Sequence, residues 1–296
     1  MLGFTNRNDR LRGRHANVDG IPFAMPVDAV DAGAVIAAFP IDVDKARELL
    51  PPGEVHPFRL WKKALLIVTV VDYRQTDIGN YIEYSLAIAV TKGARPAPPL
   101  LPAIFQRWFG TGQYVVDLPV STEISVKGGK GIWGMPKHQA SLDYRVGRKW
   151  VSAQYDLDGE MVMRFDVRRP GSIWAPVSMP AANYCMFRGM IMRSVIHLRG
   201  KAGIHLLRGA AARIVLGSHP RSGWLARLAP GKPIFAAFLP DVRGLLDDRC
   251  ETWFLTYPDP VATMVGEGLE TTFPLAYSRD WLAPPARDGS FDLDKE

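Results

Sequence analysis

Residues 141–167 read SLDYRVGRKWVSAQYDLDGEMVMRFDV, and this stretch decides the predicted fold. Over 141–146 apolar and polar residues alternate, which is typical of a strand with one buried face. The turn 147–149 joins this strand to a second one over 151–157, and Asp158-Gly159 marks the next hairpin. The stretch therefore predicts successive antiparallel strands.

The same kind of pattern extends over much of the chain. Strand-forming residues and turn residues alternate, which predicts further strands at 64–71, 81–90, 114–118, 120–126 and 162–167. Asp42 is a plausible N-cap for a short helix over 43–50, and proline-rich loops are expected at 96–102 and 170–180. Many strands with few helices predict a mainly β (α+β) fold, an antiparallel β-barrel or double sheet with peripheral helices. We expect one domain over 1–296, with a disordered N-terminal arm at 1–20.

Composition excludes several classes of protein. The chain has 296 residues, 47% hydrophobic and 22% charged, with only 2 Cys, so it is neither disordered, collagen-like nor a disulfide scaffold. Cys185 and Cys250 lack metal or redox spacing, which indicates free thiols in a reducing compartment. The Arg-rich N-terminus is not followed by an apolar signal region, and no apolar stretch is long enough to span a membrane. We therefore expect a cytoplasmic protein without membrane association.

The positive charge is regional. The formal net charge is +6 and the pI about 9.3. Residues 167–240 contain 11 Lys or Arg and no Asp or Glu, so the net charge of the rest of the chain is 6 − 11 = −5. A nucleic-acid site would interleave these cations with exposed aromatic residues, whereas this segment is rich in Ala, Leu, Ile and Gly. We favour an oligomer interface or the mouth of an anion-accepting cavity, and expect no nucleic-acid partner.

The glycine-rich segment 127–134 does not match a nucleotide-binding loop. It lacks the GxxxxGK[ST] order, and the strand expected from 140 stands where a dinucleotide-binding helix would begin. We interpret it as a turn. The six histidines have no HxxxH or HExxH spacing, and there is no GxSxG elbow. We therefore expect neither a metal nor a cofactor.

Lys137 directly follows Pro136 and is preceded by Trp133 and Met135. A lysine is ordinarily a solvated surface ammonium, but this apolar setting next to a strand can direct it into a barrel lumen. Burial favours the uncharged amine, which is a nucleophile for carbonyl groups. In an extended backbone His138 points to the other side.

These residues resemble the acetoacetate decarboxylase family, whose lysine forms a Schiff base with a keto acid. The match runs from Glu123-Ile124-Ser125 to Met135-Pro136-Lys137. A second match, Ile78-Gly79-Asn80-Tyr81-Ile82-Glu83, places Glu83 at the position of the family's active-site glutamate. Together with a weaker match around the helix 43–50, the resemblance covers about residues 30 to 150. It implies the family's barrel fold and a homo-oligomer.

The resemblance implies a Schiff-base-forming lyase for a small keto acid, most simply a β-keto acid decarboxylase. Lys137 would be the nucleophile and Glu83 the proton-transfer group. Contacts to substrate are expected from Tyr81, Tyr114, Trp133, Met135 and Glu123, with His138 behind Lys137.

Three family side chains have no counterpart in the sequence. His138 replaces a second lysine, and Pro40 and Val68 fall where the family has a substrate-binding arginine and another glutamate. The alternatives are an aldolase or dehydratase for pyruvate-like substrates, and a ligand-binding barrel without catalysis.

Overall fold

The computed structural model describes residues 13–171, 174–187, 189–246, 249–255, 272–287, 289 and 291–294. Its strands are β1 (His15–Val18), β2 (Ile21–Ala24), β3 (Val27–Asp42), β4 (Val55–Pro57), β5 (Lys63–Thr76), β6 (Tyr81–Lys92), β7 (Gly112–Val120), β8 (Lys137–Gln139), β9 (Ser141–Val146), β10 (Trp150–Leu157), β11 (Glu160–Arg168), β12 (Trp174–Phe187), β13 (Met190–Leu206), β14 (Ala212–Leu216), β15 (Phe235–Leu246) and β16 (Glu251–Phe254). The helices are α1 (Val43–Glu48), α2 (Leu101–Ile104), α3 (Glu123–Trp133) and α4 (Gly223–Leu228), with a 3-10 turn at Pro220–Ser222. No helix among the described residues is long and apolar enough to span a membrane.

Seven strands close into a ring. Around the ring, β6 pairs with β5, β5 with β3, β3 with β15, β15 with β13, β13 with β12, β12 with β7, and β7 again with β6. Only the β12–β7 pair is parallel within the ring. Side chains alternate between the lumen and the outside along each strand, so the ring has an inner and an outer set. The predicted mainly β fold is confirmed.

A second, four-stranded sheet in the order β14-β11-β10-β9 packs against the outside of the ring. The main core lies between the two layers, where Phe39 meets Phe165 edge to face at 6.3 Å and Tyr84 lies 6.0 Å from Tyr155. The two hairpins predicted from residues 141–167 are present, because β9 pairs with β10 across 147–149 and β10 with β11 across Asp158-Gly159. Outward-facing ring residues that this sheet covers, such as Phe39 and Tyr84, are therefore buried as well.

The predicted strand 120–126 and the predicted glycine-rich turn after it are wrong. β7 ends at Val120, and α3 begins at Glu123 after the extended residue Thr122. The last residue of the helix is Trp133, and the C-cap residue Gly134 adopts a left-handed φ of 61°. Glycine lowers helix propensity by about 1 kcal/mol per residue, so this segment is helical because of its tertiary contacts and not its composition.

Two further predictions need correction. In the expected loop 170–180, residues 174–180 belong to β12, whose prolines Pro176 and Pro180 pair with β13 on one side. The other side of β12 meets β7 only at residues 183 and 184, so the missing proline N–H groups face an unpaired edge.

In the expected disordered arm 1–20, residues 15–18 form β1 and pair with β2. Residues 1–12 lie outside the described residues.

A buried ion pair connects the C-terminal segment to the second sheet. Arg287 binds both carboxylate oxygens of Asp143 at 2.6 and 2.7 Å and donates to the hydroxyl of Ser152 at 2.8 Å. Arg145 also contacts Asp143, at 2.9 Å, but its side chain is 49% exposed against 11% for Arg287. Only the Arg287 contact is shielded from water.

Replacing Arg287 by Ala is expected to lower the free energy of unfolding by about 3 kcal/mol, because it breaks a buried pair and leaves Asp143 desolvated. The matched change Arg145→Ala should cost less than about 1 kcal/mol, since exposed pairs contribute little. Urea denaturation of both variants measures the difference. A loss below about 1 kcal/mol for Arg287→Ala would show that the C-terminal contact does not stabilise the sheet.

Candidate functional site

Lys137 begins β8, which runs parallel to β7 beside Leu118. Its side chain is 6% exposed, and its amine has two close partners. Nζ lies 2.7 Å from Oε2 of Glu83 and donates to the hydroxyl of Ser125 at 2.9 Å. These two polar partners fix the position of the amine.

Two tyrosines form the aromatic side of this cluster. The ring of Tyr81 lies 5.4 Å from Nζ of Lys137 and stacks on Tyr73 at 4.6 Å, while its hydroxyl shares a hydrogen bond with Ser125. Burial, followed by the charge of Glu83, raises the pKa of both phenols well above the usual range. Both tyrosines therefore remain neutral hydrogen-bonding groups at physiological pH.

A cavity of about 160 Å³ occupies the lumen of the ring. Each of the seven strands contributes to its lining, for example through Ala34, Val71, Ser85, Val115, Ala181, Leu198 and Leu239. Glu83, Tyr73 and Met135 also line it, whereas Lys137 lies one side chain away, behind Glu83. The amine is thus placed at the boundary of a largely apolar chamber.

The glycines of α3 make this placement possible. A Cβ atom on Gly129 would overlap the Cδ of Lys137 and lie 2.7 Å from its Cε. Gly128 and Gly131 similarly allow close approach of Phe23 and Val18 from the β1–β2 hairpin. The glycine-rich segment is therefore the packing surface for the lysine stem.

His138 points away from the cavity, as expected for the next residue of a strand. Its Nε2 lies 2.9 Å from the hydroxyl of Tyr155, and its Nδ1 lies 3.5 Å from Asp117. Asp117 in turn binds Arg221 at 2.8 Å. This chain of contacts holds β8 from the outside of the ring.

Three of the predicted substrate contacts lie elsewhere. Tyr114 packs into the outer core because its neighbours Gln113 and Val115 are the residues that face the cavity. Trp133 does not line the cavity itself but packs in an apolar cluster with Val115 and Met135, which do. Glu123 begins α3 and accepts from the backbone N–H of Ala276 at 3.1 Å. Strand alternation and the unexpected helix explain these three corrections.

The structure adds residues that sequence reasoning missed. Ser125 contacts the amine directly, and Tyr73, Thr69, Ser85, Gln113 and Asn183 line the cavity. Ser125 was detectable only as the last residue of the matched segment 123–125. The others lie on strands that meet only when the ring closes, so no local sequence pattern marks them.

Other reactive groups near the cluster do not compete with Lys137. Burial raises the pKa of the Cys185 thiol to about 12, which keeps it protonated and weakly nucleophilic. Within the described ranges, no group of three or more His, Cys, Asp or Glu is arranged to hold a metal ion.

Cations of the basic segment 167–240 line a surface pocket and not the lumen of the ring: Arg168, Arg169 and Arg208 share that pocket with Arg148 and Lys149. Three other cations of the segment bind acids outside it: Arg193 binds Glu251, Arg213 binds Asp166, and Arg221 binds Asp117. Among the described residues that line the cavity there is no Arg, Lys or His. Part of the regional charge excess is therefore neutralised inside the chain.

The chain resembles known proteins in sequence and in fold. Residues 13–190 match the family model described as acetoacetate decarboxylase (ADC). No curated protein matches the sequence significantly.

Among solved structures, acetoacetate decarboxylase from Legionella pneumophila subsp. pneumophila str. Philadelphia 1 is 13% identical, with 75% of this chain and 85% of that chain covered and a TM-score of 0.55. Another acetoacetate decarboxylase is 14% identical, with 77% and 89% covered and a TM-score of 0.57. The enduracididine biosynthesis enzyme MppR, complexed with the condensation product of pyruvate and imidazole 4-carboxaldehyde, is also 14% identical, with 77% and 88% covered and a TM-score of 0.56. At these identities the structural likeness shows the fold alone.

Replacing Gly129 by Ala is expected to displace the flexible Lys137 side chain and to reduce covalent labelling of its amine by carbonyl compounds at least tenfold. The fold should survive, because the atoms that must move belong to the lysine stem. Two other glycines provide matched controls. In Gly131→Ala the new Cβ atom would lie 2.5 Å from Val18, and in Gly223→Ala it would have no neighbour within 4 Å. Labelling measured by peptide mass spectrometry should fall only in the Gly129→Ala variant, and normal labelling there would contradict the packing role of Gly129.

Proposed function

Because this chain belongs to the acetoacetate decarboxylase family, we propose that Lys137 is the nucleophile of a Schiff-base-forming lyase for a small carbonyl compound. The observation that carries the proposal is the buried contact of 2.7 Å between Nζ and Glu83 at the edge of the cavity. A lysine in this setting has a proton acceptor, an apolar surrounding and access to enclosed space, which are the requirements for amine catalysis.

Glu83 provides the route for the proton. Transfer of one proton from Nζ to Oε2 leaves a neutral amine, whose lone pair attacks the ketone carbon. Expulsion of water then gives an iminium ion, and Glu83 can return its proton to the departing oxygen. General acid–base help of this kind typically contributes about 10²- to 10⁴-fold. Ser125 holds the nitrogen in place during both steps.

The fate of the iminium depends on the substrate. A β-keto acid breaks its bond to the carboxylate carbon, the bonding pair flows to the iminium, and CO2 and an enamine result. Protonation of the enamine at carbon and hydrolysis then release a ketone and the free lysine. Family membership favours this decarboxylation as the first reaction to test. An enamine from another keto compound would instead add to an aldehyde, which is the aldolase or dehydratase alternative.

Assembly and location are proposals from the sequence. A homo-oligomer is supported by exposed apolar residues that follow one another near α2, namely Ile104, Phe105 and Trp108, the last of them 86% exposed. A cytoplasmic location still rests on the two free thiols, and the keto-acid substrate still rests on the resemblance to the family.

Borohydride reduction in the presence of acetoacetate or pyruvate is expected to add the carbonyl compound irreversibly to Lys137. Lys137→Ala should abolish the adduct, whereas Lys127→Arg, a change at another buried lysine, should retain it. Peptide mass mapping locates the modification, and CO2 release from acetoacetate separates a decarboxylase from a condensing enzyme. Absence of any adduct on Lys137 with short keto compounds would leave the ligand-binding barrel as the better description.

Glu83→Gln should slow adduct formation by about 10²-fold or more, because an amide preserves the contact to Nζ but cannot accept its proton. The rate is measured by quenching the borohydride reaction at successive times and quantifying the modified peptide. Glu123→Gln is the matched control, since Glu123 binds a backbone N–H outside the cavity. Equal rates in both variants would exclude Glu83 as the proton acceptor.

A further inference from the structure

The polar groups of the cavity are uncharged apart from one acid. Among the described residues Glu83 is the only carboxylate that lines it, and the other polar lining residues, Thr69, Tyr73, Ser85, Gln113 and Asn183, are neutral. The nearest cation, Lys137, is already paired with Glu83 at 2.7 Å. A carboxylate entering this space would therefore bring a second negative charge beside Glu83 without a free positive partner.

Ser85 has a buried hydroxyl that lacks a hydrogen-bond partner among the described residues. Its side chain is 8% exposed and lines the cavity. An orphaned buried hydroxyl is costly unless something binds it, so it points to a ligand. Ser85 follows Glu83 by two positions on the same face of β6, about 7 Å along the strand. Both side chains therefore line the cavity from one strand, with the Ser85 hydroxyl farther along β6 than the Glu83 carboxylate.

Gln113 and Asn183 add a neutral site farther along the lumen. The Gln113 amide donates to the Asn183 carbonyl oxygen at 2.8 Å, across the parallel contact of β7 and β12. Either orientation of the two amides leaves both a donor and an acceptor for a ligand. The pair can therefore bind an uncharged polar group, since an amide N–H can donate to a carbonyl oxygen of the ligand without supplying a positive charge.

We infer that the cavity selects an uncharged carbonyl compound whose second oxygen accepts a hydrogen bond from Ser85, in preference to the anion of a keto acid. The inference rests on the proposed imine at Lys137 and narrows its substrate class. The volume of about 160 Å³ sets the size, because an apolar cavity of about 150 Å³ holds benzene, a molecule of six heavy atoms. Compounds with two carbonyl groups and about seven heavy atoms meet both conditions.

Three isosteric probes test the selectivity: acetoacetamide, 2,4-pentanedione and acetoacetate each have seven heavy atoms, and only the last is charged at pH 7.5. Half-saturating concentrations are measured twice, from adduct formation on Lys137 under borohydride and from ligand-induced thermal stabilisation without borohydride. Both neutral probes should saturate at concentrations at least tenfold below that of acetoacetate. Equal or tighter binding of acetoacetate would overturn the inference.

Ser85→Ala should raise the half-saturating concentrations of the neutral probes about fivefold. The difference between these concentrations and that of acetoacetate should therefore become smaller. Thr91→Val is the matched control, because Thr91 also carries an unpartnered buried hydroxyl on β6 but does not line the cavity. If the two variants behave alike, Ser85 is not the binding group.

The two readouts separate this inference from the proposed function. An adduct on Lys137 that forms best with acetoacetate supports the imine and rejects the selectivity. Thermal stabilisation by the neutral probes without any adduct supports the selectivity and rejects the imine.

Discussion

The contact between the Lys137 amine and the Glu83 carboxylate is the interaction on which the site depends. The side chain of Lys137 is 6% exposed and that of Glu83 15%, so removing either partner would leave a largely desolvated charge without its partner. The pair exists because β8 adds to β7 while β6 pairs with β7 from the other side, closing the ring around the lumen. Chemistry and fold therefore share one constraint: the ring must close for the amine to meet its proton acceptor.

The helix preceding Lys137 shows how local preference yields to packing. A segment with three glycines is a poor helix by propensity, yet α3 forms because Gly129 accommodates the lysine stem and its neighbours accommodate the β1–β2 hairpin. Thr122, Glu123 and Gly134 occupy the positions where helix start and stop signals are usual. Those signals were present in the sequence, but the run of glycines favoured a turn, and the hairpin that stabilises the helix is not adjacent to it in the chain.

A feature of the fold can be predicted from the sequence when the residues that form it are close to one another in the chain. The hairpins of residues 141–167 and the cap at Asp42 are local, and both are found where they were predicted. Lys137 and Glu83 were identified through short motifs, but their contact is non-local. Ser85, Gln113 and Asn183 have no motif, since they become neighbours of one cavity only through strand pairing around the ring. The positive net charge, prominent in the sequence, has no counterpart in the lining of that cavity.

A crystal structure of the borohydride-reduced protein with bound acetoacetamide or 2,4-pentanedione would show directly whether Lys137 forms the imine inside the ring. We expect continuous electron density from Nζ of Lys137 past Glu83 into the lumen, with the second oxygen of the ligand near Ser85. Density attached to a different lysine, or a Lys137 adduct directed away from the ring, would contradict this expectation.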